Sequence, residues 1–158
     1  LLTGNTATDR KTVFHYASAK EIGLHRVRFV QSFDEWKRVF VELQDDVDML
    51  ILRNHGGIAG WDFAEAEAFV LDNTRIPTGT PVSPMASVAM LGTTKAEAEL
   101  GRYAASTALK VLSGVPPATI PVSENQEAEF YLHVGIAQRL GIVFPPSLLR
   151  QAKVVRGP

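Results

Sequence analysis

Between His25 and Asn73 the sequence changes its hydrophobic period several times, and this switching restricts the fold more than any other feature. Val27 and Phe29 alternate with Arg26 and Arg28 over residues 25 to 31, as side chains do in a strand. Ser32 and Glu35 then stand at capping-box spacing, and Phe33, Trp36, Val39, Phe40 and Leu43 recur at helical intervals, which predicts an amphipathic helix over 32 to 45. A strand is predicted from Asp48 to Arg53, followed by a glycine-rich turn. Asp62 and Glu65 repeat the capping spacing, and Phe63, Ala66, Phe69 and Val70 supply the buried side of the next helix. Upstream, Thr8 or Asp9 is placed to cap a helix that carries Val13, Phe14, Ala17 and Ala19 and stops near Gly23. Alternation at this spacing predicts right-handed β-α-β units and a mostly parallel sheet covered on both faces, the three-layer αβα class.

The second half is more broken. The run RIPTGTPVSPMASVAMLG, rich in proline and glycine, reads as an ordered connection, with a short strand expected over Ser87 to Leu91. Thr94 with Glu97 again has capping-box spacing, before a helix over Ala98 to Leu112 that ends at Gly114. ATIPV and EFYLH read as extended pieces, VGIAQRLG as a short helix stopped by Gly141, PPSLLRQA as one begun by proline, and KVVRG as a closing strand. The opening Leu1-Leu2-Thr3-Gly4-Asn5 looks like the tail of a strand whose beginning is missing, so an excised or processed segment is expected.

At 158 residues the chain suits one domain with its own core. Its 16 Lys plus Arg nearly balance 17 Asp plus Glu, and it carries no basic run, which argues against nucleic acid as a partner. The absence of cysteine removes disulfides, thiolate nucleophiles and Cys-type zinc sites. His15, His25, His55 and His133 form no His-x-x-x-His or His-Glu-x-x-His pattern, so neither a metal nor a cofactor is expected. His55-Gly56-Gly57 resembles the oxyanion element of some esterases but lacks a Gly-x-Ser-x-Gly elbow, and no catalytic residue is assigned. Asp45, Asp46 and Asp48 read as a solvated turn.

What remains is the turn after the 48–53 strand. Gly56, Gly57 and Gly60 come close to a phosphate cradle but lack any nucleotide signature. The turn instead brings backbone N–H groups, Asn54 and Trp61 to one edge of the sheet. The first turn offers Asn5, Thr6 and Asp9 at the equivalent edge, and they share a crevice with Asn54 and Trp61 if their strands are neighbours. Amide, hydroxyl and carboxylate groups beside an aromatic ring suit a small organic solute.

Beyond this reading, the runs SFDEWKRVFVELQDDVDMLILRNHGGIAGWDFAEAEAF, LGTTKAEAELGRYAASTALKVLSG and AQRLGIVFPPSLLRQAKVV resemble the solute-binding proteins of ABC transporters with a type I periplasmic-binding fold. The most specific parts are Asn54 to Trp61, Asn73 to Thr80 and the closing LGIVFPPSLLRQA. The resemblance implies two α/β lobes around a solute cleft, of which this chain is the later half. It assigns 1–84 to the second lobe, 85–121 to a return into the first and 122–158 to a crossing back. It also implies that the 94–112 helix lacks much of its sheet, so the chain repacks, swaps with a copy as a homodimer, or belongs to a larger molecule.

The function implied is binding without chemistry. A small, amino-acid-like solute is held by Asn54, Gly56, Gly57, Trp61, Thr78 and Thr80, with Asn5, Thr6, Asp9 and Met85 as further candidates. A membrane permease is the implied partner and the periplasm, or another extracytoplasmic space, the implied location. Where relatives carry a Trp-Met-Ala-Pro-Tyr-like run this chain has Val82-Ser83-Pro84-Met85-Ala86-Ser87, so an aromatic wall is absent and a smaller or more polar solute is equally well accommodated. The alternatives are an extracytoplasmic sensor domain of a signalling receptor and, further off, a small hydrolase using His55.

Overall fold

The computed structural model describes residues 1–18 and 24–157. Strand β1 (Leu2–Gly4) leads to helix α1 (Ala7–Ser18), β2 (Arg28–Val30) to α2 (Phe33–Leu43), and β3 (Leu50–Ile51) to α3 (Phe63–Asn73). Then follow β4 (Thr78–Thr80), a 3-10 segment Ser83–Val88, β5 (Leu91–Lys95) and α4 (Glu97–Leu112). A 3-10 turn Pro117–Thr119, β6 (Ala128–His133), α5 (Val134–Arg139), α6 (Pro146–Gln151) and β7 (Lys153–Val155) complete the described chain. The expected stop at Gly23, and the side chains of Ala17 and Ala19, lie outside the described residues.

β1 pairs with β2 in parallel, and β3-β4-β5-β6-β7 form a second ladder in that order. The two ladders meet through a parallel bridge between Leu2 and Leu52, with Arg53 N–H donating to Leu2 O at 2.8 Å and Gly4 N–H to Asn54 O at 2.9 Å. Among the described residues only the β5–β6 pairing is antiparallel. The α/β class with a mostly parallel sheet is therefore as the sequence predicts.

α2 forms where the capping box predicts it. The Ser32 hydroxyl accepts from Glu35 N–H at 3.3 Å, and the Glu35 carboxylate reaches back to Gln31 N–H at 2.8 Å. Its five expected apolar residues are all buried, and Trp36 stacks on Phe40 at 5.2 Å between ring centroids. α3 is capped by Asp62, whose carboxylate accepts from Glu65 N–H at 2.8 Å. Lys37 ties the two helices together, bonding Glu65 at 2.7 Å and Asp34 at 3.0 Å. Pleat alternation sends Leu50 and Leu52 into this core, where each contributes about 1.5–3 kcal/mol. Met49 and Ile51, on the other face, line an open cleft of about 260 Å³.

Several boundaries depart from expectation. α1 is capped by Thr6, whose hydroxyl accepts from Asp9 N–H at 3.1 Å, because the sheet ends at Gly4 and the helix must start at once. Residues 83–88 form a 3-10 segment instead of a strand at 87–91, since Met90 N–H is taken by the Thr78 hydroxyl at 2.9 Å, and β5 starts only at Leu91. Thr94 does not cap α4: it stays in the sheet opposite Glu129, and Ala96 opens the helix without a side-chain cap. ATIPV is partly a 3-10 turn, closed by Thr119 N–H to Pro116 O and Ile120 N–H to Pro117 O.

α4 has no buried residue, and Leu109 and Leu112 are 68% and 83% exposed. It is tethered by polar contacts instead. Arg102 Nη2 donates to both Glu127 carboxylate oxygens at 2.8 Å, Tyr103 donates to Pro121 O at 2.9 Å, and Glu99 accepts from Asn125, Gln126 and Glu127. Those backbone donors hold the Glu99 carboxyl below its ordinary value.

Candidate functional site

The carboxyl ends of β1, β2 and β3 meet at one corner of the sheet, the position where open parallel sheets receive ligands. The loop from Asn54 to Trp61 lies across it. Ala59 N–H donates to Gln31 O at 2.8 Å and Phe33 N–H to Ala59 O at 3.0 Å, which docks the loop on the β2–α2 turn. On its other side it touches the first turn so closely that a Cβ on Gly4 would stand 2.3 Å from Gly56 O, and one on Gly57 2.7 Å from the Thr6 methyl. Gly57 also has φ 81°, which favours glycine. Gly4 and Thr6 of the first turn thus lie against the 54–61 loop.

The predicted residues divide by what their polar groups already hold. Asn54 Oδ1 accepts from Gly56 N–H at 3.0 Å, an Asx turn that shapes the loop and occupies the Gly56 donor. Asp9 is 1% exposed and accepts from the hydroxyls of Thr3 at 3.1 Å and Thr6 at 2.5 Å, so it braces the turn from beneath. Asn5 is half-buried at the rim, its Oδ1 accepting from Arg10 Nε at 2.9 Å. Trp61 is half-buried against Phe33 and Trp36, at 5.1 and 5.0 Å between ring centroids.

Thr78, Thr80 and Met85 are buried away from solvent. Thr78 serves Met90 N–H, and Thr80 closes a turn with Val82, accepting from its N–H at 3.1 Å and donating to its carbonyl at 3.3 Å. Met85 packs in the core. The structure does not bring these three side chains to the 54–61 loop as free groups.

His55, which the sequence offers only to a hydrolase, also lies in this loop. Its ring lies 4.8 Å from Phe63 and 5.7 Å from Trp61, and both its Nδ1 and the Trp61 Nε1 are buried without a hydrogen bond. Orphaned polar atoms of this kind cost about 1–3 kcal/mol each. The signal was the His-Gly-Gly run itself, read only for hydrolase chemistry. Among the described residues no group of three or more His, Asp or Glu could hold a metal, and no helix is long and apolar enough to cross a membrane.

Comparison with solved structures places this arrangement in a known fold. The chain is similar to a substrate-binding protein with adhesive properties from Clostridium difficile, in ligand-free, open form, with TM-score 0.69 and 17% identity over 99% of this chain and 54% of that one. It is similar to a conserved domain protein from Vibrio cholerae, with TM-score 0.65 and 13% identity over 98% and 53% of the two chains. An ABC domain from Streptococcus pneumoniae in complex with L-Trp gives 0.61 and 21%, over 98% and 55%. The chain thus spans about half the length of each of these structures. No curated protein matches the sequence. The family model described as ABC transporter substrate binding protein matches residues 5–156. With that match over nearly its whole length and the fold of such proteins, the chain belongs to the ABC transporter substrate binding protein family.

Proposed function

We propose that this chain forms one wall of the solute site of an ABC-type uptake system, binding a small organic solute without making or breaking bonds. The observation that carries this is the contact of the 54–61 loop with the first turn at a sheet edge, with the unpaired Trp61 Nε1 and His55 Nδ1 beside it. Asn54 shapes the loop, the Gly57 N–H and the amide of Asn5 meet an oxygen of the solute, and Thr6 and Trp61 flank it. Small shifts of the loop on binding give the two orphaned ring nitrogens their partners.

The solute class proposed is an amino acid or a molecule of similar size. The pneumococcal neighbour holds L-Trp, and the aromatic side chains of Trp61 and Phe63 border this loop. The site works in an extracytoplasmic space and the loaded protein meets a membrane permease. The family supports the solute and the permease; neither it nor the fold supports a second copy of this chain as partner.

The test is a thermal-shift screen of the purified chain against the common amino acids, followed by calorimetry of whatever raises the melting temperature. A saturable ligand whose affinity drops several-fold in Asn54→Ala is the expected result. If none of these solutes shifts the melting temperature or releases heat, the reading fails for this chain.

A further inference from the structure

Arg10 stands in the first turn of α1, just past the carboxyl end of β1, on the edge of the sheet that also carries the 54–61 loop. Its Nε donates to Asn5 Oδ1 at 2.9 Å, and its guanidinium carbon lies 4.9 Å from the ring centroid of the half-buried Phe29 on β2. Two contacts of different kinds thus hold the side chain in place. Its Nη groups make no hydrogen bond and no ion pair among the described residues. The same bond orients Asn5. Arginine only donates, so the amide turns its oxygen to Arg10 and its Nδ2 away, and Nδ2 has no hydrogen-bond partner among the described residues. The rim therefore carries a held cation beside an unused amide donor.

The crevice next to it has the same bias. The side-chain oxygens of Asn54, Thr6 and Asp9 already hold donors, which are Gly56 N–H, Asp9 N–H and the hydroxyls of Thr3 and Thr6 in turn. Trp61 Nε1, buried and unpaired, can only donate. We infer that Arg10 and Asn5 recognise a carboxylate of the solute, the Nη groups supplying the charge and a planar pair of donors, and Asn5 Nδ2 a further one. Resting on the solute-binding reading, the assignment makes the solute an organic acid. Its carboxylate lies on Arg10 and Asn5, and its body runs toward Thr6 and Gly57, which lie against one another. An amine in the carboxylate's place meets donors and a cation, and is refused.

The probe is sodium acetate, titrated into ¹⁵N-labelled chain and followed at the Asn5 side-chain amide and the Arg10 Nε–H. Sodium chloride at equal ionic strength, acetamide and methylammonium chloride are the references. Saturable shifts at both groups, with acetate alone, are expected. In Arg10→Gln the acetate dissociation constant rises about tenfold, the usual scale for losing a charged hydrogen bond. Asn5→Asp keeps an oxygen for Arg10 but turns the outward donor into an acceptor, and saturation is lost. Lys11→Gln, which removes the same charge from the exposed next residue, leaves acetate affinity unchanged. Shifts spread over exposed lysines and arginines, no saturation at Asn5, or equal weakening in Arg10→Gln and Lys11→Gln overturn the assignment. Local acetate binding with no hit in the amino-acid screen upholds the carboxylate subsite and sinks the solute reading; a hit whose affinity ignores Arg10→Gln does the reverse.

Discussion

The ring of His133 is wholly buried, and its Nε2 stands 3.5 Å from Glu67 Oε1, joining the end of β6 to α3. Its Nδ1 accepts from Ile136 N–H at 3.3 Å and so caps α5, which leaves the proton on Nε2, facing the carboxylate. The separation to Glu67 is too long for a hydrogen bond, and Nε2 is left without one.

Burial lowers the His133 imidazole from its ordinary 6.5, with Glu67 acting the other way and losing. The folded chain then resists a proton that the unfolded chain accepts. Stability from this group is complete above 6.5 and is lost as the pH falls through that value toward the lower folded one. Melting temperatures taken between about pH 7.5 and 5.5 should decline, and His133→Gln should show a shallower decline. Parallel profiles for the two proteins contradict this account.

Gly4 and Gly60 make a paired test of backbone packing. Alanine at Gly4 drives a methyl against Gly56 O, a backbone atom that cannot turn aside, and should cost about 1–3 kcal/mol or more in urea unfolding. Alanine at Gly60 meets nothing within 4 Å but must adopt φ 75°, at about 1–2 kcal/mol. Only the first should also disturb the turn carrying Asn5 and Thr6.

Thr78→Val keeps the shape and strands the Met90 N–H. A loss of about 1–3 kcal/mol is expected. Solute affinity of the folded fraction, measured by calorimetry, should stay within about twofold, whereas a larger change would place this hydroxyl in the solute site after all.

Trp36 touches Phe40, Trp61 and Phe69 and is 1% exposed. Trp36→Ala should lose about 3–5 kcal/mol, enough to unfold much of the chain at room temperature. Leu109→Gln and Leu112→Gln on the open side of α4 should stay within about 0.5 kcal/mol of the parent, because neither side chain is buried. Urea denaturation followed by far-ultraviolet circular dichroism measures both.

The amino-acid sequence by itself determined the elements whose signals are local. Ser32 with Glu35 and Asp62 with Glu65 start α2 and α3 where the spacing says, because a capping side chain and the N–H groups it satisfies lie within one turn of chain. The run from Phe33 to Leu43 names its own buried face, since helical geometry alone brings those residues together. Gly114 and Gly141 mark stops for the same reason, each at a positive φ that the chain can reach cheaply only with glycine.

Only the tertiary structure decided what each polar group is used for. Thr94 with Glu97 has the same spacing as Ser32 with Glu35, yet the β6 strand holds Thr94 in the sheet and the cap never forms. Thr78 and Asp9 read as ligands while their partners were unknown; the fold delivers Met90 N–H to one and two hydroxyls to the other. The meeting of Gly4 with Gly56 depends on β1 lying beside β3, a neighbourhood set by pairing across some fifty residues of chain. A hydrogen-bonding side chain is committed by whichever donor or acceptor reaches it first in space, and sequence spacing carries that information only within a turn or two of helix.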